Sequence, residues 1–287
     1  MPVSILPNRS LIRVSGAEAM HFLHNLVTGD IEGLGLGELV PGALLTPQGK
    51  ILFDFLVSRD GDALVLECRT DIAGDFAKRL KFYRLRAKVD IELQEQALVS
   101  VGFQNESGAS GSDSSSVGVM IDRRFSNETN VRRHYGTSLE SDAGEAVYDH
   151  LRIQNGIAEG GSDYAFGDMF PHDVNLDQIK GVSFSKGCYV GQEVVSRMHH
   201  RGTARRRVLI ASGAAPLAAR AEMTVGGRVI GALGSAVGNK ALALVRIDKA
   251  KNAMDTGTEI LAGDVPISLT LPPNVTFSWP ETLSMDE

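Results

Sequence analysis

Apolar and polar positions change period repeatedly along the first hundred residues, and each change marks an element. Residues 10–14 read as a strand. Ser15 then stands three residues before Glu18, the spacing of a capping box. Phe22, Leu23 and Leu26 give the following helix an apolar face, and Gly29 is its expected stop. Extended runs follow at 42–45, 51–57 and 63–68, separated by Thr46-Pro47-Gln48-Gly49 and Arg59-Asp60-Gly61-Asp62. Apolar runs broken by Pro-Gly and Asp-Gly punctuation predict a meander of antiparallel strands. Ile72, Phe76 and Leu80 recur every four residues, so 71–82 is predicted helical. Ala87, Val89, Ile91 and Leu93 alternate, so 86–93 returns to strand, with 97–103 as another.

The pattern stops at 104–116, which holds no large apolar residue and is expected to be a flexible surface loop. Strand texture resumes over 117–121. A helix is predicted over 141–154, with Ala146, Leu151 and Ile153 apolar and Asn155-Gly156 as its stop. A long irregular run, 160–180, contains Pro171-His172-Asp173-Val174-Asn175-Leu176; loops of that length are commonly functional. Residues 181–185 read as a strand and 194–199 as a helix. From Arg205 onward, short apolar runs separated by glycine-rich turns, with no helical segment, predict a small antiparallel barrel. Trp279, in a proline-flanked tail, is expected to pack against it. Segregated strands and helices make the class α+β. The expected domains are an α+β region of two interleaved subdomains, 1–204, and a barrel, 205–287.

A chain of 287 residues is long enough for more than one core. A net charge of −6 argues against a general polyanion binder. Arg197, His199, His200, Arg201, Arg205, Arg206 and Arg207 form a basic stretch that could track phosphates, which keeps an RNA-binding or tRNA-modification accessory role as an alternative. It lacks the interleaved aromatics that stack on bases, so a solvated junction or a seat for a ligand's acidic tail is the plainer reading, and nucleic acid is not the expected partner. His21 and His24 share a helical face, and His199-His200 could be joined by Cys188, but neither set offers a full ligand shell; no metal site is expected. Two cysteines, Cys68 within an apolar run and Cys188, fit a reducing compartment. The N-terminal residues lack a basic-then-apolar leader and no apolar run is long enough to span a bilayer, so a cytoplasmic protein without a membrane partner is expected.

The densest chemistry lies in Lys186-Gly187-Cys188-Tyr189-Val190-Gly191-Gln192-Glu193. A cysteine two residues from an ammonium, between a strand and a helix N-terminus, is expected to favour the thiolate. Glycines on either side allow a sharp turn and expose backbone N–H groups. A small buried thiol beside a tight connection is the plainer alternative.

This octapeptide resembles the signature of the YgfZ family, folate-binding proteins related to the T-protein (aminomethyltransferase) of the glycine cleavage system, one mitochondrial branch of which serves iron–sulfur protein maturation. Similar stretches are Phe22 to Asp30, Leu45 to Lys50, Phe82 to Val89, Leu151 to Gly156, Pro171 to Leu176 and Gly227 to Gly231, so the likeness covers nearly the whole chain. The family usually has a helix near 104–116, from which this chain departs.

The resemblance implies a T-protein-like fold: two α+β (ferredoxin-like) regions around a central channel that admits folate, plus a C-terminal antiparallel barrel. It implies tetrahydrofolate or a one-carbon derivative as cofactor. Cys188 becomes the functional thiol, aided by Lys186, with Gly187, Tyr189, Gly191, Gln192 and Glu193 in support and Glu193 bonding across the turn. Candidate folate contacts are Asn25, Tyr83, Arg84, Tyr148, Arg152 and Asn175; Tyr148 falls where some relatives carry a tryptophan. Implied partners are iron–sulfur assembly proteins or client enzymes. Two mechanisms fit: a nucleophile or one-carbon acceptor near the folate, or transient iron binding or thiol exchange during cluster repair. A true aminomethyltransferase is the enzymatic alternative; that enzyme generally lacks the Lys-Gly-Cys-Tyr signature, and Asp168 and Asp173 are the acidic candidates in the corresponding region. Whether a substrate is turned over stays open at this level.

Overall fold

The computed structural model describes residues 2–94, 97–103, 119–136, 143–202 and 204–280. The loop expected at 104–116 lies outside the described residues. The chain divides into two compact units, Met1–Tyr148 with Ile179–Gln192, and Asp149–Gln178 with Glu193–Glu287.

In the first unit, β1 (Val3–Ile5), β2 (Arg9–Ser15), β3 (Glu38–Leu45), β4 (Ile51–Asp60), β5 (Ala63–Arg69), β6 (Asp90–Gln94), β7 (Val99–Gly102), β8 (Val119–Asp122) and β9 (Arg132–Tyr135) form one sheet. Its order is β1-β7-β9-β8-β3-β4-β5-β2-β6. Only β3 and β8 pair in parallel; the other neighbours are antiparallel, as the punctuated runs predict. Period-two alternation sends Ile12, Val14, Phe53, Phe55, Val57, Leu64, Leu66 and Cys68 into one core. Helix α2 (Thr70–Arg84) closes that core with Ala73, Phe76, Ala77 and Leu80. The Phe76 ring stacks on Phe53 and Phe55 at 4.9 and 5.3 Å. The opposite face of β5 carries Glu67, whose carboxylate is fully buried.

Three local expectations are corrected. Helix α1 (Ala19–His24) starts later than Ser15 and ends at Asn25, before Gly29. Gly16, at φ +109°, passes so close to the Lys88 carbonyl that a Cβ there would lie 2.4 Å from its oxygen. Glu18 accepts a bond from the Lys88 N–H at 2.6 Å instead of closing a capping box. Strand β6 starts at Asp90, because α2 runs on to Arg84. Residues 181–185 form no strand. The Gly181 carbonyl accepts from the Thr28 hydroxyl at 2.6 Å, and the Ser183 N–H donates to the Thr28 carbonyl at 2.9 Å. Thr28 thereby occupies the polar groups a strand would offer to a ladder.

In the second unit, β10 (Arg206–Gly213), β11 (Glu222–Val225), β12 (Arg228–Val237), β13 (Lys240–Arg246), β14 (Ile260–Ala262) and β15 (Val265–Thr270) close into an antiparallel barrel of order β10-β13-β12-β11-β14-β15. Closure leaves no free strand edge. Phe277 and Trp279 pack on its core. The expectation of a barrel region without helix is corrected by a helix at Ile247–Asp255, which follows β13 and buries Ile247, Ala250 and Ala253. Two of those three are alanines, too small to announce an apolar stripe. A further helix, α3 (Glu145–Gln154), gives Tyr148 to the first unit and Arg152 to the second; α4 (Gln192–Arg201) follows the octapeptide. Among the described residues, no helix is long and apolar enough to cross a membrane.

Candidate functional site

The octapeptide is an irregular loop that ends as α4 begins. Its first residue anchors it. Lys186 Nζ donates to the carbonyls of His24 and Val27 and, at 2.7 Å, to that of Gly29. These carbonyls belong to the end of α1 and the turn after it, where helical oxygens lack intrahelical donors and the macrodipole favours a cation. An ammonium has three N–H groups, and all three are used. The same nitrogen lies 5.0 Å from the centroid of the Tyr189 ring. Burial draws the Lys186 pKa from its usual 10.5 down to about 8, against the upward pull of Asp30 and Glu32. Burial also pushes the Tyr189 phenol up to about 12.

The far end is fixed by backbone approach. Gly191 has φ +80°, and a Cβ there would lie 2.6 Å from the Thr46 carbonyl oxygen and 3.0 Å from the Gly49 Cα. Only glycine fits a left-handed position pressed against the β3–β4 turn. Gln192 N–H donates to the Tyr189 carbonyl at 3.3 Å. Between the two anchors, Gly187 and Cys188 are exposed. Asn25 Oδ1 lies 3.9 Å from where a Gly187 Cβ would stand, which puts Asn25 beside the loop.

Cys188 is thus a free, exposed thiol on a loop held at both ends, whereas Cys68 is buried in β5 and its pKa is pushed up to about 12 by burial. The helix expected over 194–199 begins two residues earlier, at Gln192, and the ammonium two residues before Cys188 is directed at carbonyls. Glu193 is exposed in the first turn of α4, and among the described residues it forms no bond across the turn.

The six candidate folate contacts do not share one environment. Asn25 and Arg84 are exposed in the first unit and Tyr83 is half-buried there; one Arg84 guanidinium nitrogen reaches the Val89 carbonyl at 3.3 Å. Tyr148, 2% exposed, accepts bonds at its hydroxyl from Arg133 and, at 2.9 Å, from Arg124. In the second unit Arg152, also 2% exposed, donates to Asp149 at 2.7 Å, to the Ile157 carbonyl and Asp163 at 2.9 Å each, and to Ser235 at 3.1 Å. Asn175, at φ +59°, donates to the Val208 carbonyl at 2.8 Å, and its buried Oδ1 has no partner among the described residues. The signature residues 186–191 and Asn25 therefore come together, Tyr148 and Arg152 join separate internal networks, and Asn175 retains a buried acceptor. His21 and His24 face Glu32 and Asp30 at 3.7 and 3.5 Å, and no metal-binding cluster occurs among the described residues.

Sequence reasoning missed the network that receives Tyr148. Arg133 donates to Glu67 at 2.5 Å and to Asp122 at 3.2 Å. Glu67 also accepts from Arg9 at 2.7 Å and from the Tyr135 hydroxyl at 2.9 Å, and Asp122 from Arg124 at 2.8 Å. Burial disfavours both charged forms, yet the Arg133 pKa is held above normal, chiefly by Glu67, and the Asp122 pKa below normal, chiefly by Arg124.

Comparisons with known proteins give this geometry a context. The profile described as the CAF17 C-terminal β-barrel domain matches residues 205–277. The chain is 30% identical to the iron–sulfur cluster assembly factor IBA57, mitochondrial, of Mus musculus, over 88% of this chain and 80% of that protein. Identity to the Homo sapiens protein of the same name is 29%, over 91% and 83%. Among solved structures, the glycine cleavage system aminomethyltransferase T from Bartonella henselae superposes with a TM-score of 0.73 at 18% identity, covering 95% of this chain and 85% of that one. The fold is therefore T-protein-like and α+β, with a closed C-terminal barrel. The relatives' names carry the word mitochondrial, which overturns the expectation of a cytoplasmic protein. The reason is physical: unpaired thiols report a reducing compartment, and the cytosol is only one of those.

Proposed function

The chain belongs to the family of the IBA57 iron–sulfur cluster assembly factors, and from that premise we propose that it serves iron–sulfur cluster assembly with Cys188 as its working thiol. The observation that carries this reading is the contrast in mounting: an exposed sulfur between two fixed anchors, Lys186 on three carbonyls and Gly191 on the β3–β4 turn. A thiol meant for packing is buried, as Cys68 is; a thiol meant for exchange must meet a second molecule.

One thiolate supplies one ligand, and iron in a cluster takes more. Cys188 on this reading gives its proton to solvent and holds iron together with ligands from a partner, so the cluster is cargo passed on rather than a resident group. Lys186 keeps the loop seated and Gly191 sets its exit; neither reaches the cargo.

Tetrahydrofolate is the finer part of the proposal, supported by the T-protein-like fold. The residues fit it only in part. Tyr148 and Arg152 have their polar groups engaged internally, so neither is a ligand contact on this reading. Asn175 Oδ1, in the second unit, suits an N–H donor of a pterin. No step of cluster handling is routed through the folate.

Anaerobic loading with ferrous iron, sulfide and glutathione tests the thiol. The wild type and Cys68→Ala acquire thiolate-to-iron absorption and Cys188→Ala does not; equal absorption in Cys188→Ala contradicts the reading. Calorimetric titration with tetrahydrofolate, beside Cys188→Ala and Asn175→Ala, tests the ligand: binding by the first two and loss in the third is expected, and no binding by the wild type removes folate.

A further inference from the structure

From the last turn of α2 to the start of β6 the chain presents a surface that the signature loop does not use. Between Lys78 and Lys88 it carries six cations, Lys78, Arg79, Lys81, Arg84, Arg86 and Lys88, and no acid, in a protein of net charge −6. All six are exposed. Among the described residues only Lys78 has an ion-pair partner, Asp75, which is itself exposed. In their midst stand Phe82, 70% exposed, and Leu85, 86% exposed. Helical spacing puts Lys78 and Arg79 beside Phe82, and Leu85 and Arg86 continue that side beyond the helix end. Ala73, Phe76, Ala77 and Leu80 occupy the buried face, so neither apolar side chain is needed by the core.

Leu85 adds an independent sign. It ends α2 at φ +47° and ψ −106°, a positive-φ conformation that glycine adopts readily and side-chain-bearing residues rarely do. A leucine there is strained and displayed at once, an arrangement that tends to mark binding sites.

We propose that the C-terminal end of α2 is a peripheral contact site for an anionic lipid surface, with Phe82 and Leu85 entering the headgroup boundary and Lys78, Arg79, Lys81, Arg86 and Lys88 resting on acidic headgroups. Charge complementarity selects this occupant: clusters of four to eight Lys and Arg beside exposed apolar side chains match acidic bilayers. Protein interfaces are depleted of lysine, and three of the six cations are lysines. Single-stranded nucleic acid asks for successive stacking rings, whereas Leu85 offers none and the Tyr83 ring is half-buried, edge-on to Phe82 at 5.6 Å. The expectation of no membrane partner rested on the lack of a spanning segment, which a surface contact does not require.

The test is co-sedimentation of the full chain with phosphatidylserine–phosphatidylcholine vesicles against pure phosphatidylcholine vesicles. Binding to the acidic vesicles only, weakened by added salt, is expected. Phe82→Ser with Leu85→Ser, and Lys81→Glu with Arg86→Glu, each reduce it by roughly tenfold or more. Leu85→Gly guards against misfolding: it relieves the positive-φ strain, so thermal stability is kept or raised while vesicle binding falls. Failure to bind acidic vesicles overturns the proposal, as does equal binding to both vesicle types or binding that neither pair of substitutions changes. A surface that instead captures an oligouridylate, losing it on charge reversal but not in the serine variant, is a nucleic-acid site and overturns it too.

Discussion

Lys186 and Arg133 are both cations drawn out of water within the same unit, and they differ in what receives them. Lys186 rests on three neutral carbonyls, and burial lowers its pKa to about 8. Arg133 rests on two carboxylates and a phenol hydroxyl; burial opposes its charge, but Glu67 more than offsets that and the pKa is raised. A carbonyl dipole offers less than a full negative charge, so the same desolvation leaves one site titratable and the other permanently ionised. The difference fits their surroundings. Arg133 ties β5, β8 and β9 to α3 inside the sheet's polar face, where nothing should move. Lys186 seats a surface loop whose exposed thiol must meet other molecules.

Removing Arg133 sharpens the comparison most. Arg133→Met leaves Glu67 and Asp122 buried with one cation fewer, and a loss of about 3 kcal/mol or more is expected in denaturant unfolding. A loss below about 1 kcal/mol would mean that Arg9 and Arg124 suffice, and that the network is not what fixes this face. Gly191→Ala comes next. Its Cβ would meet the Thr46 oxygen at 2.6 Å in a left-handed conformation, so about 1–3 kcal/mol is expected, together with a changed rate of Cys188 alkylation. An unchanged rate would show that the loop's exit does not set the thiol's presentation.

Lys186→Met should cost about 1 kcal/mol, as three carbonyls lose a donor near solvent while a desolvated charge is removed. Faster amide exchange confined to residues around 26–29 and 182–191 is the expected signature. The pH dependence follows from the lowered pKa. Below about 8 Lys186 is charged in both folded and unfolded chains. Between about 8 and 10.5 the unfolded chain holds the proton that the folded chain has released, so this residue's contribution to stability rises with pH. Wild type minus Lys186→Met, melted across that window, isolates it; a difference that falls with pH contradicts the neutral-carbonyl account. The smallest expected effect is that of Cys188→Ala, within about 0.5 kcal/mol, because the side chain is exposed.

The comparison also explains what could be read from sequence. The meander was legible because β3, β4 and β5 contain apolar runs and their turns carry Pro-Gly and Asp-Gly punctuation. The barrel was legible from evenly spaced short runs, and the octapeptide from its density of chemistry. The Arg133 network was not, because a charged residue in a strand pattern is ordinarily assigned to solvent, and its burial depends on partners tens of residues away in sequence, Glu67 among them. Residues 181–185 have strand composition, but Thr28 takes their polar groups, a tertiary contact with no local trace. The exposed pair Phe82 and Leu85 was hidden likewise: in a run with Ile72, Phe76 and Leu80 they look like more core.

The most direct test of the central claim is complementation. In cells lacking their own factor of this family, the wild-type chain is expected to restore the activity of an enzyme that depends on an iron–sulfur cluster. Cys188→Ala, present at the same level and melting at the same temperature, should restore none, and Cys68→Ala should restore it. Full restoration by Cys188→Ala would contradict the account and leave the anchored loop without its chemistry.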